Sequence, residues 1–438
     1  MTDETMFERR LAASLAEYAD LAPTMDDELV ARTAIRAGRP RLGWLGQFAE
    51  TFLPPRTSAH GMRVAYLLVL LALLLAAVLA AAIGGFFRPD GPIVVGRNGA
   101  IVYSIGPNGH QAVTSVAIDP DGQGLHQMQA GRCPTYSRDG NVLAWTSYED
   151  AGAFLVVAGA DGAAPRKVPL VGSAQQLVAF DLSADGAHVA WFKPTSPDVQ
   201  GAELWVAPVD AGAGVDGGAG VRIAPAPTVS GETYGSPSWS PDGRWIAFAT
   251  YVRNGATGDT RRTAIDVIAP DGSQRRRLTT RPGPQDALAW SPDSRSLAYV
   301  ASVDGAAPTA SDVFVIGADR NDERELTGAP ASITSPAWSP DGAFLGFQTS
   351  DSAGAARLTT VRIDGAGNGS PTIGPAAEWF VWSPDGRELL WSEVLAVDAQ
   401  TNRTTLYSID RGFQEPPKAL QVVDGLIVCT PSWQRLDG

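Results

Sequence analysis

The sequence has few residues suited to metal or thiol chemistry: two cysteines and four histidines among 438 residues. His60, His110, His126 and His188 are scattered, Cys133 and Cys429 stand far apart, and no zinc-type ligand spacing occurs. There is no Gly-x-Ser-x-Gly nucleophile elbow, no His-Glu-x-x-His helix motif and no phosphate-binding loop. The expectation is therefore a protein without a cofactor and without catalytic machinery. Positive charge is also scarce. Lys and Arg number 34 against 47 Asp and Glu, a net charge of −13, and lysine is confined to Lys167, Lys193 and Lys418. Nucleic acid is excluded as a partner, because its phosphates require a dense basic surface. No three-residue glycine period is present, which rules out a collagen-like chain.

Turn formers and apolar residues are abundant. The 47 Gly and 32 Pro, set in a chain that is 44% hydrophobic, point to a globular, turn-rich fold and away from a helical one. One apolar run stands apart. Val64 to Ile83 is twenty residues long without a charge, enough at 1.5 Å per residue to cross a hydrocarbon core of ~30 Å. A cleaved signal peptide is the competing reading, but the run is longer than such a segment needs and more than sixty residues precede it. Arg32, Arg36, Arg39, Arg41, Arg56 and Arg63 lie before the run, which places the N-terminus in the cytoplasm and everything after the run outside it.

The expected order is then a cytoplasmic segment over 1–62, a transmembrane helix over 64–83, a linker over 84–92 and an extracytoplasmic domain over 93–438. Within the first segment, Phe7, Leu11, Leu15 and Tyr18 follow a helical spacing. Thr24 and Asp27 resemble a capping box before a second short helix. These elements are too short to bury a core, so they form either a loosely ordered tail or a docking element for a cytoplasmic regulator. Trp44, Leu45, Phe48, Phe52 and Leu53, set among arginines, suit an interfacial helix on the inner leaflet.

The outer region repeats. WSPDGRWIAF from Trp239, WSPDSRSLAY from Trp290, WSPDGAFLGF from Trp338 and WSPDGRELLW from Trp382 are the clearest copies. YSRDGNVLAW from Tyr136, LSADGAHVAW from Leu182 and VGRNGAIVY from Val95 are weaker ones. Each copy reads as a tight hairpin: an aromatic or aliphatic residue ends one strand, Ser and Asp cap the turn, Pro fixes φ, and Gly takes the left-handed position. A second turn follows each copy at Asp121, Asp161, Asp210, Asp271, Asp319, Asp364 and Asp410, so that each unit supplies four strands. Seven units over 93–438 give about 49 residues each, the length of a propeller blade. The fold class is an all-β, seven-bladed propeller, with six or eight blades as alternatives.

These hairpins and Asp-Gly turns resemble the propeller repeats of TolB-type periplasmic proteins and of the propeller halves of prolyl-oligopeptidase-like enzymes. The resemblance implies a scaffold and leaves the ligand open. It departs from both groups. TolB is soluble with an α/β domain ahead of its propeller, whereas here a membrane anchor is expected. The peptidases carry a hydrolase domain, and only five residues follow Trp433.

Several residues are candidates for function. IVCTPSWQ near the C-terminus reads as the opening of another unit, which would complete the first blade, although residues 93–95 could supply that strand instead. If the C-terminus closes the ring, Cys133 and Cys429 occupy equivalent positions in neighbouring units and can form a disulfide in an oxidising compartment. The alternative is two buried thiols. Tyr234, Asp286, Thr334 and Glu378, just ahead of inner strands, are expected to gather around one mouth of the channel, or else to lie in solvated loops. Arg253, Arg261, Arg262, Arg275, Arg276, Arg277 and Arg281 form a basic set in one blade, either docking an acidic partner or guarding a sheet edge. The repeated Asp residues are assigned to turn capping, and the repeated Trp residues to packing between blades.

Three functions remain from the sequence. They are a membrane-anchored docking or sensing module with a protein partner outside, a channel-mouth enzyme acting on a glycan with Asp286 and Glu378, and a structural envelope component.

Overall fold

A computed structural model describes residues 95–437, apart from 107–112, 150–151, 170–178, 196–201, 211–219, 227–231, 254–259, 282, 304–310, 329–331, 351–355, 365–366, 369–371, 378 and 398–401. The expected membrane span at 64–83, the cytoplasmic segment and the linker lie outside the described residues. Among the described residues there is no helix, and none is long and apolar enough to cross a membrane.

Seven antiparallel sheets follow one another along the chain, each of four or five strands, and they are the seven blades of a propeller. Blades 2 to 7 open with the inner strands Arg132–Tyr136, Phe180–Leu182, Ser238–Trp239, Gln285–Trp290, Ser332–Trp338 and Phe380–Trp382. Three further strands then step outward in sequence order in most blades, as Val142–Glu149, Gly152–Gly159 and Arg166–Pro169 do in blade 2. Alternation along each strand sends every second side chain into the space between blades. That space is filled by Leu143, Phe248, Tyr299, Phe347, Leu390 and their neighbours, all sealed from solvent.

The repeat motif builds its turn as its residue types demand. In blade 4 the Ser240 hydroxyl donates to Asp242 Oδ1 at 2.6 Å, and Asp242 Oδ1 accepts from the Arg244 N–H at 3.1 Å. The Trp245 N–H donates to Ser240 Oγ at 2.9 Å. Gly243 closes the turn at φ 70°, a left-handed conformation that glycine adopts at no steric cost. The Ser–Asp contact recurs at Ser137–Asp139, Ser183–Asp185, Ser291–Asp293, Ser339–Asp341 and Ser383–Asp385. Blade 5 has Ser294 in place of that glycine at φ 62°, and its Oγ accepts the Asp242 N–H of the adjacent blade at 2.9 Å. The indole N–H groups of Trp290, Trp338 and Trp382 each donate to a carbonyl of the preceding inner strand, at Ser238, Ala289 and Ala337. The repeated tryptophans thus stitch blade to blade.

The ring is closed by its C-terminal end. Ser432–Leu436 pairs antiparallel with Arg97–Gly106, in the register Ile101↔Trp433 and Val102↔Ser432, and forms the inner strand of blade 1. The Ser432 hydroxyl accepts the Tyr136 N–H of blade 2 at 2.9 Å, and the Gln434 side chain donates to the Gly140 carbonyl at 3.1 Å. Cys133 and Cys429 form a disulfide across this seam, with Cα atoms 5.4 Å apart and a sequence separation of 296.

Candidate functional site

The inner strands set the chemistry of the channel, because a period of two exposes the residue before each strand-ending aromatic to the ring axis. In blades 2 to 6 that residue is Thr135, Asp181, Ser238, Ala289 and Ala337, and these five border a cavity of about 600 Å³. Asp181 is the one ionisable residue in this column. A second cavity of about 650 Å³ opens on the face that carries the Ser-Pro-Asp turns, and a third of about 410 Å³ opens on the opposite face. The central cavity shares Arg138 with the turn-side cavity and Asp181 with the opposite one, so the three lie next to one another along the channel.

Asp181 stands where the repeat breaks, since Leu182 ends this strand in place of an aromatic residue. Its Oδ2 accepts the backbone N–H of Trp239 in the next blade at 2.7 Å. Enclosure within the ring desolvates the carboxylate and raises its pKa to about 7, outweighing the N–H donors and the Arg138 charge that favour ionisation. Trp239 borders the same cavity and is 7% exposed. Its indole N–H, unlike those of Trp290, Trp338 and Trp382, has no partner among the described residues.

Arg138 is a second break in the repeat. It occupies the turn position held by Pro241, Pro292, Pro340 and Pro384 in other blades. Its guanidinium is desolvated by the channel walls and repelled by Arg435 of the closing strand, and together these lower its pKa to about 10 against the opposing pull of Asp181. Arg138 and Arg435 both border the turn-side cavity. Opposite charges therefore stand at successive levels of one channel, and among the described residues no ion pair joins Arg138 to Asp181.

The residues expected at a channel mouth separate. Asp286 borders the cavity on the face opposite the turns and accepts a hydrogen bond from the Tyr251 hydroxyl. Thr334 is exposed and donates to Gln348 Oε1 at 3.3 Å. Glu378 lies outside the described residues. Tyr234 is not at the mouth: it is 8% exposed and packs against Phe192 and Phe248 at ring-centroid distances of 5.3 Å and 5.0 Å. The physical reason is phase. Asp286, Thr334 and Glu378 stand four residues before Trp290, Trp338 and Trp382, whereas Tyr234 stands five before Trp239. A one-residue offset turns a strand side chain to the other face.

The described members of the basic set are tied into their own blade and the next one. Arg275 and Arg277 both reach the buried Asp266, at 2.7 Å and 3.4 Å, and Arg275 also donates to the Tyr234 hydroxyl at 3.1 Å. Arg276 lies 4.8 Å from the Trp245 ring centroid and donates to the Ala318 carbonyl. Arg281 covers the Phe314 ring at 3.9 Å. Arg261 and Arg262 belong to the strand Thr260–Ile268, and their side chains, like that of Arg253, lie outside the described residues. Among the described residues, no group of three or more His, Cys, Asp and Glu is placed to hold a metal ion.

With this geometry in place, the similarities define the class. Residues 226–411, which hold the four clearest Trp-Ser-Pro-Asp hairpins, match the family model of the TolB beta propeller domain. That segment is therefore similar to TolB-type propeller repeats. No curated protein matches it in sequence. Among solved structures, it is similar to the acylaminoacyl peptidase of Pyrococcus horikoshii, at 11% identity and a TM-score of 0.54 over 74% of this chain and 51% of that one. It therefore spans about half the length of that peptidase. It is also similar to the propeller domain of the Trilobed protease from Pyrococcus furiosus, at 12% identity and a TM-score of 0.53, covering 74% and 93% of the two chains. An oligogalacturonate lyase in complex with manganese follows at 15% identity and 0.52, covering 69% and 84%. Identities this low establish the shared fold alone. The Trilobed protease domain is described as having an open velcro topology, whereas here Ser432–Leu436 closes the ring.

Proposed function

We propose that this chain is a membrane-tethered, extracytoplasmic propeller that acts as a ligand-binding or protein-interaction module without catalysis, and that its channel is the docking site. The observation that carries this reading is geometric: Thr135, Asp181, Ser238, Ala289 and Ala337 of five successive inner strands border one central cavity, and Asp181 is the ionisable member of that row. A concave cavity walled by small side chains with a few convergent polar groups suits an incoming polar ligand. The apolar run at 64–83, with six arginines ahead of it, supports the tether. The segment 1–62 is then available to a cytoplasmic regulator.

The test is chemical cross-linking of the full chain in its own membranes, followed by recovery of partners. Arg138→Gln combined with Asp181→Asn is expected to reduce recovery of the outer partner at least tenfold. Unchanged recovery, or turnover of an envelope glycan that Asp286→Asn abolishes, would contradict the reading.

A further inference from the structure

We propose that the end of the channel opposite the turns takes an alkylammonium ion, its charged head held between Asp181 and Asp286 and its hydrocarbon body laid against the apolar wall beside them. This rests on the channel being the docking site and specifies the class of molecule it takes.

The local backbone comes first. In blade 5 the pairing of Gln285–Trp290 with Ser296–Ser302 shifts register between Asp286 and Ala289, and Ala287 inside this bulge has a φ of 54°. A bulge re-aims the side chains beside it. Asp286 borders the cavity of about 410 Å³ on this face, and Asp181 of blade 3 borders it too. Among the described residues that line it, these two alone are ionisable. Arg138 borders the central and turn-side cavities and not this one. A cation entering here therefore meets two carboxylates before it meets a guanidinium group.

Bonding capacity comes next. Asp181 commits Oδ2 to the Trp239 N–H, and Asp286 commits Oδ1 to the Tyr251 hydroxyl and the Ala287 N–H. These bonds fix both carboxyl groups, and each keeps acceptor capacity for an incoming donor, because a carboxylate has about four lone-pair sites. Asp181 is the more demanding of the two. Desolvation disfavours its ionised form, and no ion pair among the described residues offsets that cost. An ammonium group supplies the counter-charge together with three N–H donors. The hydroxyls of Ser236 and Ser238 border the same cavity and can accept from it. The remaining wall decides what the head is attached to. Phe180, Leu288 and Pro336 line the cavity beside the carboxylates, a surface that a hydrocarbon chain covers favourably and a hydrated metal ion does not.

The experiment is isothermal titration of the detergent-solubilised full chain with n-alkylammonium ions from propyl to octyl, at about pH 8 so that Asp181 is ionised. The alcohol and the alkyltrimethylammonium ion of each length serve as controls, and calcium chloride as a third. One alkylammonium ion is expected to bind at least tenfold more tightly than all three. Asp181→Asn and Asp286→Asn should each weaken it at least fivefold and leave the alcohol unchanged. The comparison of ligands on the unaltered chain stands even if a variant fails to fold. N-acetyl-lysine methylamide, which carries the same head on a peptide unit, tells the source: equal affinity to butylammonium supports a partner's lysine as the natural ligand, and weaker binding supports a free amine. An alcohol, trimethylammonium or calcium control that binds as well as the alkylammonium ion overturns the proposal while keeping the channel as a binding site. Absence of binding across the series also overturns it. If cross-linking is in addition insensitive to the channel substitutions, the reading of the channel itself falls.

Discussion

Asp181 reaches across a blade boundary to hold the backbone N–H of Trp239 at 2.7 Å, so an ionisable group on the channel wall is part of the packing between blades 3 and 4. Its protonation is therefore linked to the stability of the ring as well as to the charge of the channel.

The pKa of Asp181 is raised to about 7 from the ordinary carboxylate value near 4. The folded protein thus binds this proton more tightly than the unfolded chain does. The corresponding stabilisation is fully present below about pH 4 and is lost as pH rises through 7. At ~1.4 kcal/mol per pKa unit the full effect is up to about 4 kcal/mol. Asp181→Asn, which keeps an oxygen acceptor for Trp239, should therefore raise the unfolding temperature at pH 8 and lose that advantage at pH 5. Thermal unfolding of both proteins at the two pH values checks this, and a benefit confined to pH 5 would contradict it.

Cys133–Cys429 spans 296 residues and lies beside the strand that closes the ring. In the chain-entropy description a loop of that size contributes about 5 kcal/mol by restricting the unfolded chain. Reduction, or Cys133→Ser with Cys429→Ser, should shift the urea midpoint down by a corresponding amount. A midpoint indifferent to reductant, or two free thiols in protein from an oxidising compartment, would show that the seam is held by strand pairing alone.

Asp266 is buried and carries both Arg275 and Arg277. Asp266→Asn leaves Arg275 beside the Tyr234 and Phe248 rings without its counter-charge and should cost about 1–3 kcal/mol, between the values for exposed and buried pairs. Arg277→Ala removes a more exposed partner at 3.4 Å and should cost under about 0.5 kcal/mol. Equal losses from denaturant titration would contradict this ranking.

The fold was legible because its signal is local and repeated. Ser240, Asp242 and Gly243 dictate one turn by their own hydrogen bonds and φ, and finding the same three residue types at regular intervals leaves few architectures. The site was less legible. Position alone points to the residues ahead of the inner strands, yet the informative column is the one immediately before the strand-ending aromatic, where Asp181 stands alone among Thr135, Ser238, Ala289 and Ala337. Arg138 carried a similar signal, as the residue replacing the turn proline. Tyr234 leaves the mouth because its offset from Trp239 is five and not four, and a strand converts that difference into the opposite face. The lock on the basic set could not be read at all. Asp266, in the same strand as Arg261 and Arg262, meets Arg275 and Arg277 only through the pairing of two strands.

The most direct measurement of the central claim is site-specific photo-cross-linking from the channel wall. A photoreactive residue in place of Ser238, which borders the central cavity, should capture the ligand or partner of the full chain in its own membranes. The same residue in place of exposed Val221, on the outer strand Val221–Ala224, should not. Capture from Val221 with none from Ser238 would place recognition on the outer edge of the ring and contradict the account.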